Sequence, residues 1–201
     1  YAQSFEKIKK VIDPRSGEIM FGLNMVVNKG KTVFIGDTSV HEYPTSEQLA
    51  EIAISSARVA KLFGFDPKVA FLSHSTFGQP ITNRTKHIRD AVEILKNKKV
   101  DFKFDGDMQP DVALNEEYAE LYPFSEIVGN ANILIMPGQH SATISYKIMK
   151  TLGDAKVIGP LLIGLGQPIE IAPLRSSTSD ILNLASVAAY SAGVINYNKP
   201  N

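Results

Sequence analysis

Arg175-Ser176-Ser177-Thr178-Ser179-Asp180 sets a guanidinium, four hydroxyls and a carboxylate directly before an apolar-periodic stretch, Ile181 to Tyr190. A helix starting here turns the free N–H groups of its first turn, and the positive end of its dipole, toward the preceding loop. That is the chemistry of an anion site. Arg175 would add a forked donor to it. The same residues also fit a plainer role, in which Ser177 and Asp180 form a capping box and Arg175 is a solvated loop charge. Spacing alone leaves both readings open. Upstream, Val157 to Pro168 opens as an apolar run of strand length and breaks twice at Gly and Pro.

Other chemistry-bearing residues give weaker signals. His74 lies between Ser73 and Ser75, but neighbouring residues rarely aim at one another and no orienting Asp is implied. His140 beside Ser141 precedes a helical pattern and suits a hydrogen bond to a ligand or a cap. His41 and His87 read as surface residues. Asp105 and Asp107 resemble the start of an oxygen-ligand metal loop, yet Gln109 gives way to Pro110 where further ligands should follow, so a turn is expected. Asp101 and Lys103 read as the exposed face of a strand, and Lys96 to Lys99 as a helix C-terminus that complements the dipole.

These residues need a frame to position them, and the hydrophobic periodicity supplies one. Residues 2–12 put Phe5, Ile8, Val11 and Ile12 on one helical face, stopped at Asp13-Pro14. Ile19–Val27 and Thr32–Ile35 flank Asn28-Lys29-Gly30-Lys31 as a β-hairpin. Asp37–Pro44 is a polar connection. Thr45 and Gln48 have capping-box spacing before a helix over Glu47–Phe63 that Gly64 ends. Lys68–Leu72 is a strand, and a helix carrying Ile88, Val92 and Leu95 precedes a strand at Val100–Phe104. A helical stretch over Pro110–Leu121, a strand at Asn132–Met136 and a helix over Thr143–Leu152 follow. Strands alternating with helices of this length predict an α/β fold with a mostly parallel sheet and helices on both faces. In such folds ligands gather at the carboxyl ends of the strands. Ser73–Asn83, Pro137–Ser141 and Gln167–Ser179 are the loops placed there, rich in hydroxyls and N–H groups that suit phosphate oxygens. None matches a Walker A or GxGxxG pattern.

Composition narrows the function classes. The 201 residues carry 21 Lys plus Arg against 21 Asp plus Glu, so no basic field exists to hold a nucleic acid. With no cysteine, a disulfide framework, a thiolate metal site and a Cys nucleophile are all excluded. That composition fits a cytoplasmic chain, and no apolar run reaches membrane-span length. The chain begins at Tyr1 inside a helical pattern and reads as part of something longer.

Several stretches carry a family resemblance. Thr45-Ser46-Glu47-Gln48-Leu49-Ala50-Glu51-Ile52-Ala53, Val69 to Thr76, Ile158-Gly159-Pro160-Leu161-Leu162 and Ser179-Asp180-Ile181-Leu182-Asn183 resemble the phosphate acetyltransferase/butyryltransferase family. The match covers nearly the whole chain in one order. It implies a phosphotransacetylase-like fold, of the isocitrate/isopropylmalate dehydrogenase type. The chain would be the C-terminal two-thirds of that domain, with a further βαβ portion upstream of Tyr1. The resemblance divides the chain into residues 1–155, a central lobe with its preceding helix, and 156–201, a return segment belonging to the other lobe.

Within the family, Asp101 to Gln109, Asp111 to Asn115, Tyr122 to Ser125, Ile135-Met136-Pro137 with His140-Ser141, and Ala188-Ala189-Tyr190 are similar to the C-terminal domain of large bacterial NADP-dependent malic enzymes. That similarity implies malate oxidation and decarboxylation on an upstream domain, with its NADP and divalent metal. Here it implies a non-catalytic regulatory module for acetyl-CoA that forms a dimer or higher homo-oligomer. The cleft residues it implies are Ser75, Thr76, Phe77, His140, Ser141, Arg175, Asp180 and Asn183, with no metal. Active transferases carry a Ser-Arg pair shortly before the Asp of the last helix, and those two positions here are Pro173 and Leu174. A missing forked Arg removes roughly two to three orders of magnitude of transition-state stabilisation. An active phosphate acetyltransferase with a rearranged clamp at Arg175 is the alternative.

Overall fold

The computed structural model describes residues 2–197. Six strands form one mixed sheet in the order β4-β3-β5-β2-β1-β6. They are β1 (Phe21–Asn28), β2 (Lys31–Gly36), β3 (Lys68–Leu72), β4 (Lys103–Met108), β5 (Ile133–Ile135) and β6 (Lys156–Ile163). Pairing is parallel from β4 through β3 and β5 to β2, while β1 runs antiparallel to both β2 and β6. Five strands therefore point one way, and their carboxyl ends lie along one end of the sheet. The β1–β2 hairpin turns at Lys29 and Gly30, both with positive φ (49° and 78°). That matches the strand twist that a two-residue turn requires.

Side chains alternate across the sheet apart from register shifts near Leu23/Met25 and Phe71/Leu72, and each face buries a separate core. Phe21, Leu23, Phe34, Val69, Phe71, Ile133 and Ile135 meet α2 (Ser46–Leu62), α3 (Asn83–Lys98) and Leu184 of α6 (Thr178–Tyr197) on one face. Val26, Val33, Ile35, Ala70, Leu72 and Leu134 meet α4 (Pro110–Leu114) and α5 (Gln139–Leu152) on the other. Each fully buried Phe, Leu or Ile contributes about 1.5–3 kcal/mol of transfer free energy, and the two cores hold the sheet between helix layers. No described helix is long and apolar enough to cross a membrane.

Several expectations change. The first helix, α1, spans only Ala2–Ile8. Val11 therefore leaves the inward face and is 83% exposed. The stretch after Pro110 is not one helix: α4 stops at Leu114, and a 3-10 turn runs from Glu116 to Leu121. Asp105-Gly106-Asp107 is not a turn. It lies inside β4, where Ala70 and Phe71 pair with Asp105 and Gly106 before the register shifts. Asp101 lies outside the strand and pairs with Lys61 at 2.6 Å. Residues 156–163 form β6, which makes an antiparallel ladder with β1 from Phe21↔Ile163 to Val27↔Lys156.

Candidate functional site

Three groups of polar residues line the carboxyl-end rim and the free edge of β6. The first surrounds the N-terminus of α6. Ser177 N and Oγ both donate to Asp180 Oδ2 (2.9 and 2.8 Å), and Asp180 N donates back to Ser177 Oγ at 3.1 Å. The capping box is therefore real. The Ser177 amide, then its hydroxyl, hold the Asp180 carboxyl below the usual carboxylate range, with Lys150 adding attraction. The cap does not use up the site. A cavity of about 230 Å³ at the free edge of β6 is lined by Arg175, Asp180 and Asn183 together with Lys147 and Lys150 of α5. Pro173 lines it too, whereas Leu174 is fully exposed.

Lys147 and Lys150 were not legible as site residues. They are an i,i+3 pair on a helix, and only the packing of α5 beside β6 turns them toward Arg175. Three cations, two on α5 and Arg175 before α6, line the same cavity as the first turn of the 20-residue α6 and the Asp180 carboxylate, and the cations act with the same sign as the helix dipole.

The second group lies at the carboxyl ends of β3 and β4. Asp107 is fully buried; its carboxylate accepts from Ser75 Oγ and, at 3.2 Å, from Gly78 N. Ser75 Oγ also meets Ser73 Oγ at 3.0 Å. Thr76 Oγ1 accepts from Gln109 N at 3.2 Å, and Phe77 N donates to the Asp107 carbonyl at 2.6 Å. His74 takes no part and is exposed. Asp107 thus orients the Ser75–Gly78 loop. The signal that could have found it is the hydrophobic Met108 directly after it, which extends the strand through the acid.

The third group follows β2. Asp37, 1% exposed, accepts from the amides of Gly22, Ser39, Val40 and His41 and contacts His41 Nδ1 at 2.7 Å. His41 is therefore held against a buried acid rather than free on the surface. His140 Nε2 meets Glu42 Oε1 at 2.8 Å, and Ser141 Oγ donates to Gly138 O at 2.7 Å. Both lie in the first turn of α5, which begins at Gln139.

The eight expected cleft residues thus divide among three places. Arg175, Asp180 and Asn183 share one cavity. His140 and Ser141 sit at the start of α5. Ser75, Thr76 and Phe77 follow β3, four strand positions from β6, or about 19 Å at the usual strand spacing. Among the described residues no three His, Asp or Glu side chains are placed to hold a metal ion.

Comparison with known proteins adds the ancestry. The family model for phosphate acetyl/butaryl transferase matches residues 1–189. The NADP-dependent malic enzyme of Rhizobium meliloti is 47% identical over 193 residues, 96% of this chain and 25% of that protein. The phosphate acetyltransferase of Bacillus subtilis is 37% identical over 169 residues, 83% of this chain and 52% of that protein. A crystal structure of a phosphotransacetylase from Streptococcus pyogenes superposes with a TM-score of 0.90 at 33% identity, covering 96% of this chain and 60% of that one. The chain spans about a quarter of the length of the malic enzymes it matches.

Proposed function

Because the chain belongs to the phosphate acetyl/butaryl transferase family, and its malic-enzyme relatives are about four times its length, we propose that it is the regulatory, acetyl-CoA-binding domain of a malic enzyme. Malate oxidation and decarboxylation then take place on an upstream domain of the same chain, which carries the NADP and divalent-metal sites. The observation behind this reading is the β6-edge cavity, where Lys147, Lys150 and Arg175 converge on the N-terminus of α6. Its 230 Å³ admits a phosphate and a short length of chain, so the rest of a coenzyme A ester lies along the rim toward His140 and Ser141.

Acetyl-CoA acts on the distant malate site only if it binds one state of the assembly more tightly than the other. A second copy of the chain is the partner that provides such states. The apolar surface of α6 suits one, with Ile181 and Leu182 more than half exposed.

Pro173 and Leu174 offer no forked donor where active transferases hold phosphate, which supports a binding role over catalysis. Arg175 nevertheless lines the same cavity as Asp180, and this favours one second reading, phosphate acetyltransfer with Arg175 as the clamp. Arg175→Ala separates the two. Under the regulatory reading it weakens acetyl-CoA binding about tenfold or more by calorimetry, since a charge-assisted donor contributes roughly 1.5–3 kcal/mol, and the wild type forms no acetyl phosphate. Acetyl phosphate formation that Arg175→Ala abolishes would establish the second reading instead.

A further inference from the structure

The cavity at the opposite edge of the sheet shares Phe77 with the cleft expected from the resemblance, but its other lining residues are not used by the acetyl-CoA reading. It measures about 470 Å³ and lies between α3, β4 and the loop after β3, lined by Phe77, Phe104, Phe124, Arg89, Lys96, Glu93 and Asp105. Three aromatic side chains line it. Phe124 is 68% exposed at the rim, and the Phe77 and Phe124 rings meet edge to face with centroids 4.9 Å apart.

Two features of the lining are costly in themselves. Phe77 adopts a left-handed conformation, φ 48°, which for a bulky residue costs on the order of 1–3 kcal/mol. It is held there by the hydrogen bond its N–H donates to the Asp107 carbonyl and by the one Gly78 N donates to the Asp107 carboxylate. Arg89 Nε is buried without a hydrogen-bond partner. Its nearest acid, Asp107 Oδ1, is 4.0 Å away and already accepts from Gly78. The Arg89 side chain as a whole is 34% exposed and lines the cavity, so its fork is open to a ligand while Nε stays unpaired, and an unpaired buried N–H is rare in folded proteins.

Each element has a matching part on one kind of ligand. A guanidinium fork takes a phosphate. Exposed aromatic faces take a planar ring. A carboxylate at the rim, Asp105, accepts from an exocyclic amine. Lys96 is tied to Glu93 at 2.7 Å, so it leaves Arg89 as the main anchor. We propose that this cavity is a second ligand site, for a purine nucleotide, with the phosphate on Arg89 and the base against Phe77 and Phe124. It lies five strand positions from the acetyl-CoA cavity at β6, and occupancy of one does not require the other.

The test is calorimetric titration of the full chain with AMP, alongside adenosine and ribose 5-phosphate. AMP should bind at least about tenfold more tightly than either fragment. Phe124→Ala removes an exposed side chain without opening the core and should weaken AMP about tenfold, the range for loss of one base–aromatic contact. Arg89→Lys, which keeps the charge but not the fork, should do the same. AMP binding should survive both Arg175→Ala and saturation with acetyl-CoA, so this site and the acetyl-CoA reading can fail separately. The proposal is overturned by no AMP binding at millimolar ligand, by ribose 5-phosphate binding as well as AMP, or by AMP and acetyl-CoA displacing one another.

Discussion

Glu170 is the residue whose chemistry departs furthest from its exposed form. It lines a cavity of about 420 Å³ between α2, β6 and α6 whose lining is mostly apolar but includes Arg15 and Arg58, and its Oε2 accepts from Leu162 N at 3.1 Å. Burial pushes its pKa from 4.5 up to about 8, only partly offset by the Leu162 amide. The unfolded chain releases this proton near 4.5, so between that pH and about 8 the folded chain holds more protons than the unfolded one. The stability tied to this group is complete below about 4.5 and is lost as pH rises to about 8. The loss is on the order of a few kcal/mol. Thermal unfolding at pH 5 and pH 8 checks this. Glu170→Gln keeps the acceptor for Leu162 and should flatten that part of the pH slope; an unchanged slope would mean another group carries it.

Asp107 and Asp37 teach a related lesson at the same scale. Both acids are almost fully buried and accept several hydrogen bonds. Acids that read as turn or loop charges in sequence are here the fixed points to which Ser75 and His41 are tied.

The elements were more legible than the site. The strand Lys68–Leu72, the long helix after Thr45 and the hairpin at Lys29-Gly30 all follow from period and turn chemistry. The Thr45 cap formed as its spacing implied, with Thr45 N on Gln48 Oε1 at 2.9 Å and Gln48 N on Thr45 Oγ1 at 3.3 Å. Thr45→Ala should therefore cost about 1 kcal/mol in urea unfolding, and no measurable change would show that α2 is held by packing alone. β4 was misplaced for a physical reason. Its charged Asp105-Gly106-Asp107 centre has turn composition, and only pairing with β3 on one side makes it a strand. The site was less legible still. The cavity at β6 depends on α5 and α6 meeting across the edge of the sheet, and no local spacing in the sequence reports that juxtaposition.

At the scale of the whole molecule, α6 presents an apolar surface that this sheet covers on one side only. From Ile181 to Tyr197 it contains no charged residue. Leu184 is buried against the sheet, while Ile181 and Leu182 are 52% and 65% exposed. A helix apolar on most faces needs cover on more than one side, and a symmetric copy meets no like-charge repulsion along this stretch. The wild-type chain is expected to sediment as more than one copy, and Leu182→Asp should shift it toward a smaller species. Identical sedimentation of the two would place the interface elsewhere.

The central claim is that acetyl-CoA, bound where Lys147, Lys150 and Arg175 converge, biases a malate site elsewhere in the chain. Its most direct test is malate-dependent nicotinamide reduction by the full-length chain, titrated with acetyl-CoA. A saturable change in rate that Arg175→Ala removes, with basal activity and melting temperature retained, is the predicted result. A malate-dependent rate indifferent to acetyl-CoA at millimolar concentration would contradict the account.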